Sequence, residues 1–257
     1  ISHEVISFAG NLGLSKLIVL FDDNSISIDG PTSLAVNDDH KKRFEASGWN
    51  VASVDGHDHF SIHNALTLAK ESVKPSLISC KTIIGFGAPN KQGTASTHGA
   101  PLGEDELLKA KQNLDWPKES FAISDEILLE WRKVGIKGEG QQKKWYSRLK
   151  KKNNNVRLKF ESAISGNLPP NWEDLILAHK RDLSKKHPII ATRSASGHVL
   201  TILTNVIREM IGGSADLTGS VNTKPENIDP ISSDNFTGRY IHYGVREHGM
   251  AGIMNGM

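Results

Sequence analysis

Residues 17–30 constrain the fold of this chain more than any other stretch. They read LIVLFDDNSISIDG, an apolar run that ends abruptly at two aspartates and Asn24. A short run rich in β-branched and aromatic side chains is typical of a parallel strand covered on both faces. The strand would end at Asp22, so oxygen-bearing side chains would follow it. Ligands bind at this end of the strands in open α/β sheets.

Two interpretations of these polar residues are open. Mg²⁺ takes oxygen ligands and usually holds one or two protein groups together with phosphate oxygens and waters. Asn24 could supply a side-chain carbonyl to such an ion, and Ile26 a backbone carbonyl. Alternatively, Asp-Asp-Asn only ends the strand with ordinary turn chemistry.

The residues around this stretch continue an alternation of helix and strand. Apolar residues at helical spacing predict helices over 1–14 and 61–73. Short apolar runs predict strands over 50–56 and 77–84. Strands that alternate with helices in this way indicate a parallel α/β sheet.

Charge and cysteine content exclude several classes of protein. The 257 residues carry a formal net charge of +2 and a single cysteine. We therefore expect no nucleic-acid binding and no intramolecular disulfide, and we interpret Cys80 as a buried strand residue. No apolar stretch approaches the ~20 residues that span a bilayer. We expect a soluble, cytoplasmic protein that does not bind membranes.

Histidines in two loops are candidate ligands. Five glycines lie between residues 85 and 103, where His98 is either an ordinary loop residue or a contact to a ligand. His57, His59 and His63 form a second group, for which solvated surface residues and a metal site are the alternatives. No cysteine or acidic residue at ligand spacing supports the metal.

The second half of the chain predicts a charged helical connection and then another α/β unit. Helical patterns cover most of 104–163, and a further helix is expected over 195–210. Strands are expected over 211–216 and 240–243, followed by a helix that begins near Arg246. Glu247 would lie in the first turn of that helix, where an acid can simply stabilise the helix dipole.

Five segments of the chain resemble those of transketolases, in the order and at about the spacing of that family. They are DDNSISIDG (22–30), STHGAPLG (96–103), ATR (191–193), IGGSADLTGS (211–220) and YIHYGVREHGM (240–250). The resemblance covers essentially the whole chain.

It implies two parallel-sheet thiamine diphosphate-binding domains, both incomplete here, joined by a helical, charged linker. We expect residues 1–155 to contain the end of the diphosphate-binding domain plus the linker, and 156–257 the start of the pyrimidine-binding domain. The family's Gly-Asp-Gly would lie just before Ile1, so we expect this chain to be the middle of a longer protein.

The resemblance also implies the site and the reaction. A two-carbon ketol unit would pass from a ketose phosphate to an aldose phosphate, in a homodimer with active sites at the subunit interface. For the diphosphate end of the cofactor, the resemblance implies metal binding (Mg²⁺ or Ca²⁺) by Asn24 and Ile26, and contact of His98 with the diphosphate and the donor substrate. For the cofactor's rings, it implies proton transfer to the pyrimidine by Glu247 and a position near the thiazolium for Asp216. For the sugar phosphate, it implies phosphate binding by Arg193 and Ser220.

The sequence departs from the family pattern at two positions, and the role of Glu4 and the function of the protein each have alternatives. Ala95 stands where many members have a second histidine, and Val221 where an asparagine usually follows the serine. Glu4 is either a first-turn acid or part of a carboxylate network at the dimer interface. A dihydroxyacetone synthase that accepts formaldehyde, or a non-catalytic subunit, would carry the same motifs.

Overall fold

The computed structural model describes residues 1–117 and 119–257. The helices are α1 Ser2–Asn11, α2 His40–Ala46, α3 His59–Glu71, α4 Glu104–Asn113, α5 Asp125–Lys150, α6 Asn154–Ile164, α7 Trp172–Lys186, α8 Thr192–Val206, α9 Thr218–Val221 and α10 Glu247–Gly256. The strands are β1 Ile18–Asp23, β2 Ile26–Ser27, β3 Gly30–Pro31, β4 Asn50–Asp55, β5 Ser76–Lys81, β6 Gly212–Ser214 and β7 Tyr240–His242.

The chain divides into two compact units. The first unit is Ile6–Ile136, and the second comprises Ile1–Val5 and Lys137–Met257. Both contain helices and parallel strands, as predicted.

The first unit is built on a parallel sheet with the strand order β1-β5-β4. Ser76 of β5 lies opposite Ile18 on one side and Asn50 on the other. The first five residues of β5 are buried, which is typical of a central strand in a parallel sheet. Since all the strands are parallel, their carboxyl ends lie at one edge of the sheet.

Helices pack against both faces of this sheet. Ala65 and Ala69 of α3 pack with Ile78 and Cys80 on one face. On the other face Leu77 packs with Trp49 and with Ala9 of α1. Successive residues of β5 point to opposite faces, so this strand contributes to both clusters. The expectation that Cys80 is a buried strand residue is confirmed, and burial, with a smaller effect of the Asp22 charge, raises the pKa of its thiol.

Aspartate side chains fix the starts of two helices in this unit. Asp39 accepts a hydrogen bond from the Lys42 amide at 3.0 Å, and Asp58 accepts one from the Phe60 amide at 3.0 Å. The Lys42 amide lowers the pKa of Asp39, and the Ser61 hydroxyl is the main cause that lowers the pKa of Asp58. These are N-caps that satisfy amides left free at a helix start.

β1 differs from its expectation in two respects. It continues through Asp22 to Asp23, and it lies at an edge of the sheet, where Leu20 is 54% exposed. The expectation of a strand covered on both faces is wrong for its C-terminal half, because the core clusters on the two faces include Ile18 and Val19 but not Leu20 or Phe21. The antiparallel pair β2–β3 follows directly and was not expected.

The second unit contains the parallel pair β6–β7, in which Gly212 lies opposite Tyr240. Tyr240 is fully buried, and its hydroxyl lies 2.8 Å from that of Thr218 and 2.9 Å from that of Thr223. The guanidinium of Arg239 donates to the carbonyl of Thr204 at 3.0 Å, near the C-terminus of α8. Carbonyls at a helix end lack partners within the helix, so this contact fixes β7 to α8.

Among the described residues, no helix combines the length and apolar character that crossing a bilayer requires.

Candidate functional site

The turn after β1 is held by its own side chains. Asn24 Oδ1 accepts a hydrogen bond from the Ile26 amide at 3.0 Å, the geometry of an Asx turn. Ser25, between them, has a positive φ of 63°. Lys81, at the end of β5, donates to Ser25 Oγ at 2.6 Å and lies 3.7 Å from Asp23 Oδ1. The turn that carries Asn24 is therefore fastened to the neighbouring strand.

An oxygen-rich cavity of about 470 Å³ opens beside this turn. Asp22, Asp23 and Asn24 line it, together with Ile26 and Ser79. No cluster of three or more His, Cys, Asp or Glu side chains arranged to hold a metal occurs in 1–117 or 119–257. A cation here would therefore depend on a few protein oxygens and on oxygens of a ligand, which is how Mg²⁺ is usually bound. The side-chain carbonyl of Asn24 has a second lone pair for that purpose.

His57, His59 and His63 belong to no metal cluster in the described part of the chain. All three are exposed. His63 lies on the surface of α3, as the surface interpretation expects, whereas His57 contacts the loop after β5.

The loop after β5 carries His98, which is exposed and directly follows a 3₁₀ turn at Ala95–Thr97. The buried carboxylate of Glu106, in the first turn of α4, anchors this loop. It accepts hydrogen bonds from the Asn90 amide at 2.7 Å, the Asn90 side chain at 2.8 Å and the Lys91 amide at 3.0 Å. The Asn90 side chain is the main cause that lowers the pKa of Glu106, with the two amides adding to it and burial opposing it.

In the first unit, three of the predicted site residues lie in segments that follow neighbouring parallel strands. Asn24 and Ile26 follow β1, and His98 lies in the loop after β5. Because β1 and β5 are neighbouring parallel strands, both segments leave the same edge of the sheet. This is the edge at which open α/β sheets bind ligands.

The second unit has a corresponding edge. Asp216 follows β6 and has a positive φ of 64°, and Glu247 is the first residue of α10, after β7. Both side chains are exposed. Glu4 accepts a hydrogen bond from the Gly249 amide at 2.5 Å. The start of the helix that carries Glu247 is therefore capped by a carboxylate from α1.

Arg193 and Ser220 lie on neighbouring segments of the same unit. Arg193 is in the first turn of α8, and Ser220 is in the short helix α9. Asn222 ends α9 in the left-handed conformation, and its side chain donates to Ser194 Oγ at 3.3 Å. Val221, which departs from the expected asparagine, is 38% exposed. The predicted site residues are thus divided, three in the first unit and four in the second.

Comparison with known proteins agrees with these motifs. Residues 1–169 match the family "Transketolase, thiamine diphosphate binding domain", and residues 189–257 match "Transketolase, pyrimidine binding domain". The chain belongs to the transketolase family.

Individual relatives support this membership. The transketolase of Rhodobacter capsulatus is 45% identical over all 257 residues, which make up 38% of its own length. The structure of Pichia stipitis transketolase with sedoheptulose 7-phosphate has a TM-score of 0.90 and 35% identity over 99% of this chain and 39% of that one. Leishmania mexicana transketolase has a TM-score of 0.88 and 37% identity over 98% of this chain and 38% of that one. The chain thus spans under two-fifths of the length of these relatives, and the predicted α/β class with parallel sheets is confirmed.

Sequence reasoning missed three residues that shape these edges. From the sequence alone, Glu106 is one acid of a charged helix, His57 is a surface histidine or a metal ligand, and Lys81 has no predicted role. An acid in the first turn of a helix after a glycine-rich loop is a usable signal for Glu106, because loop amides need acceptors. The sequence holds no comparable signal for His57 or Lys81, whose partners are 26 and 56 residues away.

Proposed function

We propose that the intact protein is a transketolase, which transfers a two-carbon ketol unit from a ketose phosphate to an aldose phosphate in the pentose phosphate pathway of the cytoplasm. One observation carries the proposal. In both units, the residues expected to contact the cofactor follow parallel strands, Asn24 after β1 and Glu247 after β7. Family membership supplies the expectation of a thiamine diphosphate cofactor.

A divalent cation, Mg²⁺ or Ca²⁺, would bind beside the turn after β1. Asn24 would offer the free lone pair of its side-chain carbonyl and Ile26 its backbone carbonyl, while diphosphate oxygens and waters complete the shell. The oxygen-rich lining of the cavity supports this assignment. His98 would donate a hydrogen bond to the diphosphate and to the donor sugar.

Thiamine diphosphate, when bound, supplies a carbon nucleophile on its thiazolium ring. Glu247 would hold a proton in a hydrogen bond to the pyrimidine ring nitrogen, the role of a general acid. Asp216 would lie near the thiazolium. These roles need side chains that can reach a ligand, and both are exposed in the second unit.

Sugar phosphates would bind through Arg193 and Ser220. A guanidinium fork suits a phosphate dianion, and a serine hydroxyl adds a further donor. The link between Asn222 and Ser194 supports a shared role, because it holds the two segments together. The Pichia stipitis transketolases solved with fructose 6-phosphate and sedoheptulose 7-phosphate bind ligands of this class.

We assign the active site to a C₂ homodimer, with the first unit of one subunit facing the second unit of the other. We also propose that the diphosphate-binding domain with its linker ends at residue 155 and that the pyrimidine-binding domain begins at residue 156, within α6. Each site would then need Asn24 from one subunit and Glu247 from its partner.

Mixing two inactive variants of the intact protein tests this arrangement. Asn24→Leu removes a metal ligand and Glu247→Gln removes the proton donor, so each homodimer should lack activity. After subunit exchange, each mixed dimer has one site with both native residues and should recover about half the activity of a wild-type dimer.

Three results would contradict the proposal or a part of it. Recovery that stays at background after exchange has been demonstrated would mean that one chain supplies both residues. Full cofactor affinity of the Asn24→Leu homodimer, measured by fluorescence titration at a Mg²⁺ concentration that limits binding in wild type, would remove Asn24 from the metal site. Wild-type protein without ketol transfer would exclude the function itself.

A further inference from the structure

His57 has two contacts to the loop that carries His98. Its Nε2 accepts a hydrogen bond from the Ile83 amide at 3.0 Å. Its ring stacks on that of Phe86, with 4.1 Å between centroids and 27° between planes. Both partners belong to the first residues after β5. The histidine therefore joins the end of β4 to the start of the loop.

The hydrogen bond to Ile83 fixes the protonation state of the ring. Nε2 must present a lone pair to accept an amide proton, so the proton of the neutral imidazole lies on Nδ1. Protonation of Nε2 would replace the acceptor with a second donor that faces the amide. The contact thus exists only while His57 is neutral.

The backbone around His57 is packed closely against the end of β5. The Gly56 amide donates to the carbonyl of Lys81 at 2.8 Å, and a Cβ on Gly56 would lie 2.4 Å from the Thr82 side chain. Asp55 Oδ1 accepts a hydrogen bond from the His57 amide at 2.9 Å. The turn is therefore held in place from both sides, and the backbone that carries the ring is fixed relative to the end of β5.

The start of the loop is packed in turn against the segment before His98. Gly85 has a positive φ of 65°, and a Cβ there would lie 2.8 Å from the side chain of Thr97. The Ile84 carbonyl accepts a hydrogen bond from the Gly93 amide at 2.8 Å. A displacement at Ile83 would therefore reach Thr97, the residue directly before His98.

We propose that His57 is a positioning residue for His98, because its neutral imidazole holds the start of the loop and, through Gly85 and Thr97, the turn that carries His98. What His98 then contacts rests on the proposed function. The positioning itself does not, since all the residues involved lie in the first unit.

Hydrogen–deuterium exchange of the intact protein without cofactor tests the positioning. His57→Phe keeps an aromatic ring against Phe86 but removes the acceptor, and it should raise exchange at Ile83 and in residues 94–99 about five-fold, as expected for one lost hydrogen bond. His57→Gln keeps an acceptor and should restore exchange to within about two-fold of wild type. His63→Gln, at an exposed site on α3, is the matched control and should change nothing.

Three outcomes would overturn the proposal. They are unchanged exchange in His57→Phe, equal increases in His57→Phe and His57→Gln, and an increase at Ile83 that does not extend to residues 94–99. Exchange in β5 reports on general unfolding, and it should remain at the wild-type level.

Cofactor titration separates this inference from the proposed function. His57→Phe should weaken thiamine diphosphate binding, but by no more than His98→Ala does, and the double variant should match His98→Ala. Additive losses would show that His57 acts independently of His98. Wild-type protein that binds no thiamine diphosphate would contradict the proposed function, while the exchange results would still decide the role of His57.

Discussion

The two units place their candidate residues in the same way and hold them differently. In the first unit, the turn of Asn24 is closed by an Asx hydrogen bond, and the loop of His98 is anchored by Glu106. In the second unit, Arg193, Asp216, Ser220 and Glu247 are exposed at strand or helix ends. In the first unit Asn24 itself makes the hydrogen bond that closes its turn, whereas in the second unit the candidate residues are exposed and neighbouring residues, Glu4 and Asn222, make the structural hydrogen bonds.

This difference separates the expected consequences of substitution. Changes near the carboxyl edge of the first unit should alter stability and ligand binding together, because turns and loops there depend on the same side chains. Exposed residues away from packing usually change stability by under ~0.5 kcal/mol, so changes at these four residues of the second unit should alter chemistry far more than stability.

The largest expected effect is on proton transfer in the second unit. Glu247→Gln keeps the shape of the side chain but cannot donate a carboxyl proton. Exchange of the thiazolium proton in the intact holoenzyme should slow by at least ~10²-fold, the lower range for general acid–base catalysis. Rapid-quench NMR measures this rate, and the thermal unfolding midpoint should remain that of wild type.

Glu247→Asp is a useful companion, since it retains an acid on a shorter side chain. A wild-type exchange rate in Glu247→Gln would refute the assignment, and a large loss of stability would break the contrast between the units.

A substitution at Gly10 should show the opposite pattern. A Cβ there would lie 1.7 Å from the carbonyl oxygen of Ser47, which is backbone and cannot move aside cheaply. Gly10→Ala should therefore destabilise the first unit by about 1–3 kcal/mol, as overpacking does, despite the better helix propensity of alanine. Urea unfolding measures this free energy.

Gly252→Ala in α10 provides the matched control. Nothing lies within 4 Å of a Cβ at that helical position, so the change should stabilise α10 by up to about 1 kcal/mol. Similar effects of the two substitutions would show that the contact between α1 and Ser47 is not as close as described.

Selective loss of phosphate binding is the next effect in size. Arg193→Ala should raise KM by at least about tenfold for phosphorylated ketoses, since a charged hydrogen bond contributes about 1.5–3 kcal/mol. KM for unphosphorylated ketoses should not change. Arg181→Ala, at an exposed site on α7, controls for a general change in charge. Equal increases in KM for both classes of ketose would remove Arg193 from the phosphate site.

The sequence predicted most elements because their signals are local. Periodic apolar residues placed α1, α3 and α8, and short apolar runs placed β4, β5 and β7. The strands β2 and β3 have two residues each, too few for any periodicity to register. The edge position of β1 also escaped prediction, because a strand's neighbours depend on the topology and not on its own residues.

The residues of the candidate site show the same difference between local and distant signals. Asn24, His98 and Glu247 were predicted from motifs that stand in continuous stretches. Glu106 and His57 act on residues that lie 16 and 26 positions away along the chain. The acidic first turn of α4 is a usable signal for an acceptor near the loop, but a single sequence contains no record of which residues pair, so the partners of Glu106 and His57 could only be read from the structure.

The smallest expected effect concerns Glu106 and sharpens the description of the first unit. Its pKa is lowered in the folded protein, so its contribution to stability is complete above the ordinary value of 4.5 and is lost as pH falls through the lowered value. Glu106→Gln retains one acceptor oxygen and turns an amide donor toward the Asn90 and Lys91 donors. The variant should therefore unfold at a lower temperature than wild type at pH 7, and the difference should shrink below pH 4.5.

Glu104→Gln, exposed on the same turn of α4, should show no such pH-dependent difference. Calorimetry between pH 3.5 and 7 makes the measurement, and a difference that stays constant over this range would mean that the carboxylate of Glu106 does not anchor the loop.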